Sequence, residues 1–286
     1  MSVSVRAEYD RLAGKLWSGS RYGCYKSVAW DWVHLPFHTD YTQPRPAVPP
    51  APASLVAAKA ILEVGSAMGQ GYRFLKESGR VDISGYVGYD VSEDGQAFCR
   101  ETYPEARWVQ GDFTKVTLDR RFDYAYERHS VHHMPEPLAQ YRKILAATDR
   151  AVCFTFRGRV RGETISDLAR SYFNHTEAGG YDANGRVFLN QINVMDVVAL
   201  ARTAGFSHIG IRVGLHEAVQ TEDPNRPGYY MTPEVKAAGG ELLRFNMLAA
   251  REPLLSARPL YYVLPGQRRI WLSRDFHRLK RLVARL

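Results

Sequence analysis

Apolar positions along this chain of 286 residues follow two different periods. Apolar runs of strand length at 61 to 64, 84 to 89, 106 to 109, 122 to 126 and 151 to 156 are separated by segments of helical period, such as Asp94 to Tyr103 and Leu138 to Ala147. That alternation predicts an α/β fold, with a parallel sheet and helices on both faces. Further on, Met195 to Phe206 reads as a helix stopped by Gly205, and Ile209 to Val213 as a strand. A helix is expected near Glu234 to Ala250 and a last strand at Leu260 to Leu264.

The ends of the chain follow other patterns. Residues 1–43 form an aromatic arm or lid with Trp17, Tyr22, Tyr25, Trp30, Trp32, Phe37 and Tyr41. Residues 44–52 are too rich in proline for a helix or a sheet interior and read as an extended linker. A main domain is expected over 53–265, with helical insertions at about 158–187, which is polar and glycine-bearing, and 216–258. Residues 266–286 read as an amphipathic helix. Leu272, Phe276, Leu279, Val283 and Leu286 share one face, and Arg274, Arg278, Arg281 and Arg285 the other.

Candidate chemistry collects where the apolar runs end. The first run passes through Glu63 into Gly65-Ser66-Ala67-Met68-Gly69-Gln70-Gly71, and a helix opens at Tyr72. Gly65 and Gly69 let the backbone bend sharply and approach a ligand without a Cβ in the way. The spacing lacks the G-x-G-x-x-G order of a dinucleotide-binding turn. The second run, Tyr86 to Tyr89, ends on Asp90, whose carboxylate can accept both hydroxyls of a ribose. The third ends in Gly111-Asp112-Phe113, and the fourth, Phe122 to Tyr126, leads into Glu127-Arg128-His129-Ser130-Val131-His132-His133-Met134-Pro135. Asp90 and Asp112 also suit ordinary strand-to-loop turns, since Asp bonds its own backbone there.

Glu63-x-Gly65-x-Ala67-x-Gly69 resembles the first motif of class I S-adenosylmethionine-dependent methyltransferases of the small-molecule type, with Ala67 in place of the middle glycine. The other three strand ends follow in that family's order, and the resemblance covers about residues 55 to 215. It implies a Rossmann-like, mostly parallel sheet of seven strands, the last of them, at 260 to 264, antiparallel. It also implies S-adenosyl-L-methionine as cofactor and S-adenosyl-L-homocysteine as product. The implied cofactor-binding residues are Glu63, Gly65, Ser66, Ala67, Gly69, Asp90, Val91, Asp112, Phe113 and Glu127. Among them Asp90 would hold the ribose, Asp112 the adenine amino group and Phe113 the ring.

A sulfonium is an activated methyl donor, so the protein must align an acceptor and, for a hydroxyl or ammonium, remove a proton. His129, His132 and His133 are the candidate bases, with His133 first, against the alternative that they cap or pack. Arg128 to His133 resembles the S-R-D-A-I-L-H pattern of phosphoethanolamine methyltransferases, in which the last histidine works with an N-terminal tyrosine. Here His129 replaces the aspartate of that pattern, and Tyr22 and Tyr25 are the tyrosines to test. Glu127 is a further candidate base or metal ligand. No spaced ligand set is recognisable, so a divalent metal is not favoured. The expected reaction is O-methylation of a small or lipid-linked acceptor, such as a saccharide, a phenolic or polyketide compound, or a head group. N-methylation of a small amine and a catalytically decayed cofactor-binding protein are the alternatives, while aminopropyl transfer lacks an acidic cluster for a polyamine.

Charge adds a question about partners. The formal net charge is +8, and from Gln267 onward seven basic residues face only Asp275, leaving the rest of the chain nearly neutral. A nucleic-acid groove would spread basic residues over the catalytic body, so nucleic acid is disfavoured. The basic helix suits peripheral contact with an anionic membrane, an acidic partner, or its own domain. Cys24, Cys99 and Cys153 are odd in number and widely spaced, and no apolar run reaches membrane-span length. A cytoplasmic protein is expected, with peripheral membrane contact as an option.

Overall fold

Along β1 (Ala60–Val64), Ile61 packs with one hydrophobic cluster while Leu62 and Val64 pack with another, so the strand is buried on both faces. The same alternation runs through β2 (Gly85–Asp90), β3 (Arg107–Gln110), β4 (Phe122–Arg128) and β5 (Thr148–Arg159). A computed structural model describes residues 57–79, 81–174, 186–215, 228–239, 243–252 and 261–263. The aromatic arm with Tyr22 and Tyr25, the proline-rich linker and the basic C-terminal helix lie outside the described residues.

These five strands are parallel and lie in the order β3-β2-β1-β4-β5. Helices α1 (Gln70–Ser78) and α2 (Glu93–Thr102) place Tyr72, Leu75 and Cys99 against one face. Helices α3 (Pro137–Ala146) and α4 (Val194–Thr203) place Tyr141, Ile144, Val197 and Val198 against the other. Helix starts carry local signals: Ser92 accepts a hydrogen bond from the Gly95 N–H, and Asn193 accepts one from the Met195 N–H. The chain builds outward from β1 to β3, then returns to lay β4 on the other side of β1. The crevice between the carboxyl ends of β1 and β4 is therefore the topological switch point.

The remaining strands correct the expectation in three ways. The segment expected as a helix near Glu234 to Ala250 is α5 (Pro233–Gly239) followed by β11 (Leu243–Ala250). Phe245, Met247 and Ala249 enter one cluster while Leu248 and Ala250 enter the other, and an apolar run buried on both sides has no period that tells strand from helix. Second, the antiparallel member is β11, which pairs with β5 on one side and β9 (His208–Leu215) on the other. The strand expected last, β12 (Tyr261–Val263), is instead an edge strand parallel to β9. Third, among the described residues the central sheet has nine strands where seven were expected, because β12 extends one edge and β8 (Ile192–Asn193) pairs with the end of β5. Strands β6 (Ser171–Asn174), β7 (Arg186–Phe188) and β10 (Gly228–Met231) form a separate antiparallel sheet, so the insertions are not purely helical. Among the described residues no helix is long and apolar enough to cross a membrane.

Candidate active site

The turn after β1 is held by its neighbours on both sides. Gly65 has φ of 80° and donates its N–H to the Tyr89 carbonyl at 2.8 Å. A Cβ on Gly65 would lie 2.3 Å from the Ser130 Cβ, so the glycine allows the loop after β4 to close on the turn. Ser130 completes that closure by donating its hydroxyl to the Val64 carbonyl at 2.9 Å. Gly69, with φ of 73°, caps α1, and a Cβ there would crowd Cys99, Trp108 and Tyr103 at 3.1 to 3.2 Å. Ala67 is also left-handed, with φ of 48°, a conformation that costs an L-residue about 1–2 kcal/mol.

Asp90 compensates part of that strain. Its Oδ2 accepts the Ala67 N–H at 2.8 Å and its Oδ1 the Ser92 N–H at 2.8 Å, joining the turn after β1 to the start of α2. Ser66 is buried, and its hydroxyl accepts from the Gln96 amide at 3.0 Å. Val91 packs against Leu168, Tyr172, Val187 and Phe188, which carries the small sheet to the carboxyl end of β2. Asp112 bonds its own turn, accepting from the Thr114 N–H at 2.8 Å and the Thr114 hydroxyl at 2.7 Å. The Phe113 ring is buried in the main cluster, edge-on to Tyr89.

Two buried carboxylates underlie this crevice. Glu63, 4% exposed, accepts hydrogen bonds from the Tyr86 and Tyr126 hydroxyls on the face toward α1. Burial pushes it up to about 7, against the opposing effect of the two hydroxyls. Glu127, 1% exposed, is likewise pushed by burial to about 7. Its Oε2 accepts from the Ser130 N–H at 3.0 Å and the Val131 N–H at 3.3 Å and lies 3.1 Å from the Ser130 hydroxyl, while Oε1 accepts from Tyr141 at 2.8 Å.

Glu127 thus anchors the 3-10 turn Val131–His133, which carries two of the histidines. His129 has φ of 58°, and its N–H donates to the Thr155 carbonyl at 2.8 Å. The rings of His129 and His132 lie 5.4 Å apart, and those of His132 and His133 4.1 Å apart. His132 is fully buried and His133 is half-buried, with Nδ1 2.7 Å from the Phe188 carbonyl. A carbonyl only accepts, so this contact puts the ring proton on Nδ1 and leaves the lone pair of the neutral ring on Nε2. Asn190 supports the turn from the side: its amide donates to the Met134 carbonyl at 2.6 Å and its N–H to the His132 carbonyl at 2.8 Å.

The structure therefore gathers Glu63, Gly65, Ser66, Ala67, Gly69, Asp90, Glu127, His129, His132 and His133 around one crevice, while Phe113 points into the core. Sequence reasoning missed Ser130, Asn190 and the Phe188 carbonyl. Asn190 and Gln191 did leave a signal, as an amide pair interrupting the apolar run Val187 to Ile192. Among the described residues no group of three or more His, Cys, Asp or Glu is placed to hold a metal ion.

Residues 61–152 match the family model of a methyltransferase domain. The chain carries a methyltransferase domain. With the strand-end motifs in register within that match, the enzyme is an S-adenosylmethionine-dependent methyltransferase. No curated protein matches the sequence. Solved structures similar to this methyltransferase include a DhpI–SAM–HEP complex, at 14% identity and a TM-score of 0.49 over 88% of this chain and 100% of that one. The N-terminal domain of EvdMO1 with SAH bound is similar at 15% identity and a TM-score of 0.47, over 70% of this chain and 77% of that one. A Haemonchus contortus phosphoethanolamine N-methyltransferase 2, in complex with phosphomonomethylethanolamine and S-adenosylhomocysteine, is similar at 16% identity and 0.43, over 68% of this chain and 49% of that one. Likenesses of this size assign no acceptor.

Proposed function

We propose that this methyltransferase transfers a methyl group to a hydroxyl of a small or lipid-linked acceptor, with His133 as the general base. The observation that carries the reading is the Nδ1 contact of His133 with the Phe188 carbonyl, which presents Nε2 as the basic nitrogen. Bound S-adenosylmethionine supplies a methyl carbon on a sulfonium, already activated toward attack. The glycine turn and the end of β2 fit a nucleoside of that kind. The Asp90 oxygens accept the backbone N–H groups of Ala67 and Ser92, and a carboxylate is the acceptor type that ribose hydroxyls require. Asp90 is therefore the ribose residue in this reading, with Gly65, Ser66, Ala67 and Gly69 forming the turn beside it and Val91 and Asp112 flanking the base.

His133 takes the proton of the acceptor hydroxyl at Nε2, making that oxygen the nucleophile for the methyl group that bound S-adenosylmethionine would supply. Glu127 and Asn190 hold the turn, so that the ring stays in place while its charge changes. The test is a panel of hydroxyl and amine acceptors with methyl-labelled cofactor, comparing wild type with His133→Ala. The expected outcome is unchanged S-adenosylhomocysteine affinity with transfer to a hydroxyl slowed by about 100-fold or more. Equal turnover by the variant, or methyl incorporation into amines alone, overturns the reading.

A further inference from the structure

Strand alternation places Thr155 and Arg157 on one face of β5, opposite in sense to Phe154 and Phe156, which enter the main cluster. Asn246 and Arg244 stand opposite them on β11, in the pairs Asn246↔Thr155 and Arg244↔Arg157. On the other side Arg128 of β4 pairs with Thr155, so the same face carries three arginines around a hydroxyl and an amide. Thr155 and Asn246 are buried and bonded to each other at 2.9 Å. Like charges directly opposite on neighbouring strands destabilise a sheet, so the Arg157–Arg244 pair invites an anion between its guanidinium groups.

Two observations tie this face to a ligand. Among the described residues the buried Nε of Arg244 has no hydrogen-bond partner, and no ion pair reaches that side chain. The Arg157 Nη1 lies 3.5 Å from His132 Nε2, and the His132 ring lies 4.1 Å from that of His133. The cationic face is thus one side chain away from the base.

We propose that Arg157 and Arg244 hold an oxyanion on the acceptor, a phosphate or carboxylate group a few bonds from the hydroxyl that receives the methyl. This inference rests on the reading of His133 as base, and names the acceptor class for the same site. Arginine suits the task because its fork pairs two N–H donors with two anion oxygens. Arg128 adds positive potential at the rim, and Thr155 and Asn246 set the floor.

The test uses the full chain with S-adenosylhomocysteine bound, titrated calorimetrically with inorganic phosphate and, separately, with acetate. The expected result is saturable binding of at least one of these anions that weakens about tenfold or more in the Arg157→Gln/Arg244→Gln variant. S-adenosylhomocysteine affinity of that variant should stay unchanged. Removing two like charges that face each other should not lower the melting temperature, and phosphate should raise it in wild type only. Absence of saturable anion binding, or equal binding by wild type and variant, overturns the proposal. A variant that melts lower and no longer binds S-adenosylhomocysteine also overturns it, because the arginines then support the fold instead. Co-sedimentation of wild type with phosphatidylglycerol vesicles, lost in the double variant, assigns the anion to a lipid head group, whereas anion binding without such loss assigns it to a soluble acceptor. Failure of the base reading shows separately, as full transfer by His133→Ala with anion binding intact.

Discussion

Glu63 and Glu127 lie at the carboxyl ends of adjacent parallel strands, are both buried, and are both pushed up to about 7 by that burial. Their partners differ. Glu63 takes both of its described hydrogen bonds from tyrosine side chains, Tyr86 on β2 and Tyr126 on β4, and so ties three strands together beneath α1. Glu127 takes its bonds mainly from backbone N–H groups of the turn that carries His132 and His133, with Tyr141 behind it. A carboxylate paired with hydroxyls braces the scaffold, whereas one paired with loop amides shapes the site. Similar burial and similar proton affinity therefore serve different links between structure and chemistry.

Replacing each carboxylate breaks this comparison most directly. Glu127→Ala leaves two backbone N–H groups and the Tyr141 hydroxyl without their acceptor, while the Ser130 hydroxyl keeps the Val64 carbonyl, and a loss on the order of 3–5 kcal/mol is expected in urea unfolding. Glu63→Ala leaves only two hydroxyls, which can rotate toward each other, so a loss of roughly 2–3 kcal/mol is expected. If Glu63→Ala proves the more harmful of the two, the division into brace and loop anchor is wrong.

Gly65→Ala probes the closure between the turn and the loop after β4. The added Cβ would meet Ser130 at 2.3 Å, and the left-handed backbone adds its own strain. Together these predict a loss of about 2–4 kcal/mol and weakened S-adenosylhomocysteine binding by calorimetry. Gly65→Ala/Ser130→Gly should recover part of the stability, because it removes the clash while the strain remains.

The dependence on pH sharpens the comparison further. Both carboxyls have native values raised from 4.5 to about 7, so the native state keeps protons that the unfolded chain has already released. Stability from these groups is complete below about pH 4.5 and is lost as pH rises through 7, on the order of 3 kcal/mol for each. Unfolding free energies at pH 5 and pH 8 should differ less in Glu63→Gln than in wild type. An equal difference would remove Glu63 from the titration.

The smallest effect is expected at Ala67. Ala67→Gly relieves a φ of 48° at a position that the Asp90 bond holds in place, and should raise stability by up to about 1 kcal/mol in the same unfolding assay. A lower melting temperature would mean that the flexibility glycine adds to the unfolded chain outweighs the relieved strain.

Much of the parallel half of the sheet was legible because its strands are short apolar runs that each end in a chemical signal: Glu63 and Gly65, Asp90, Asp112, and Glu127 with the histidines. Beyond β5 the pattern became ambiguous. In Leu243–Ala250 the polar residues Arg244 and Asn246 alternate with apolar ones only in the first half, and Met247 to Ala250 is apolar on both faces, which does not state whether the run pairs with β5 or coils as a helix. The histidines were visible as candidates, but their order of importance was not. That order depends on the Phe188 carbonyl, which lies 55 residues away in the chain and reaches His133 only because β7 belongs to a separate small sheet.

By itself, then, the sequence determined the alternation of strands and helices, the glycine turn and the acidic strand ends, because periodicity and turn chemistry are local. Tertiary structure alone decided which carboxylate braces the sheet and which anchors the loop, where the antiparallel strand inserts, and which histidine nitrogen carries its proton. Each of those outcomes is set by a partner from a distant part of the chain, and such partners meet only when the sheet is assembled.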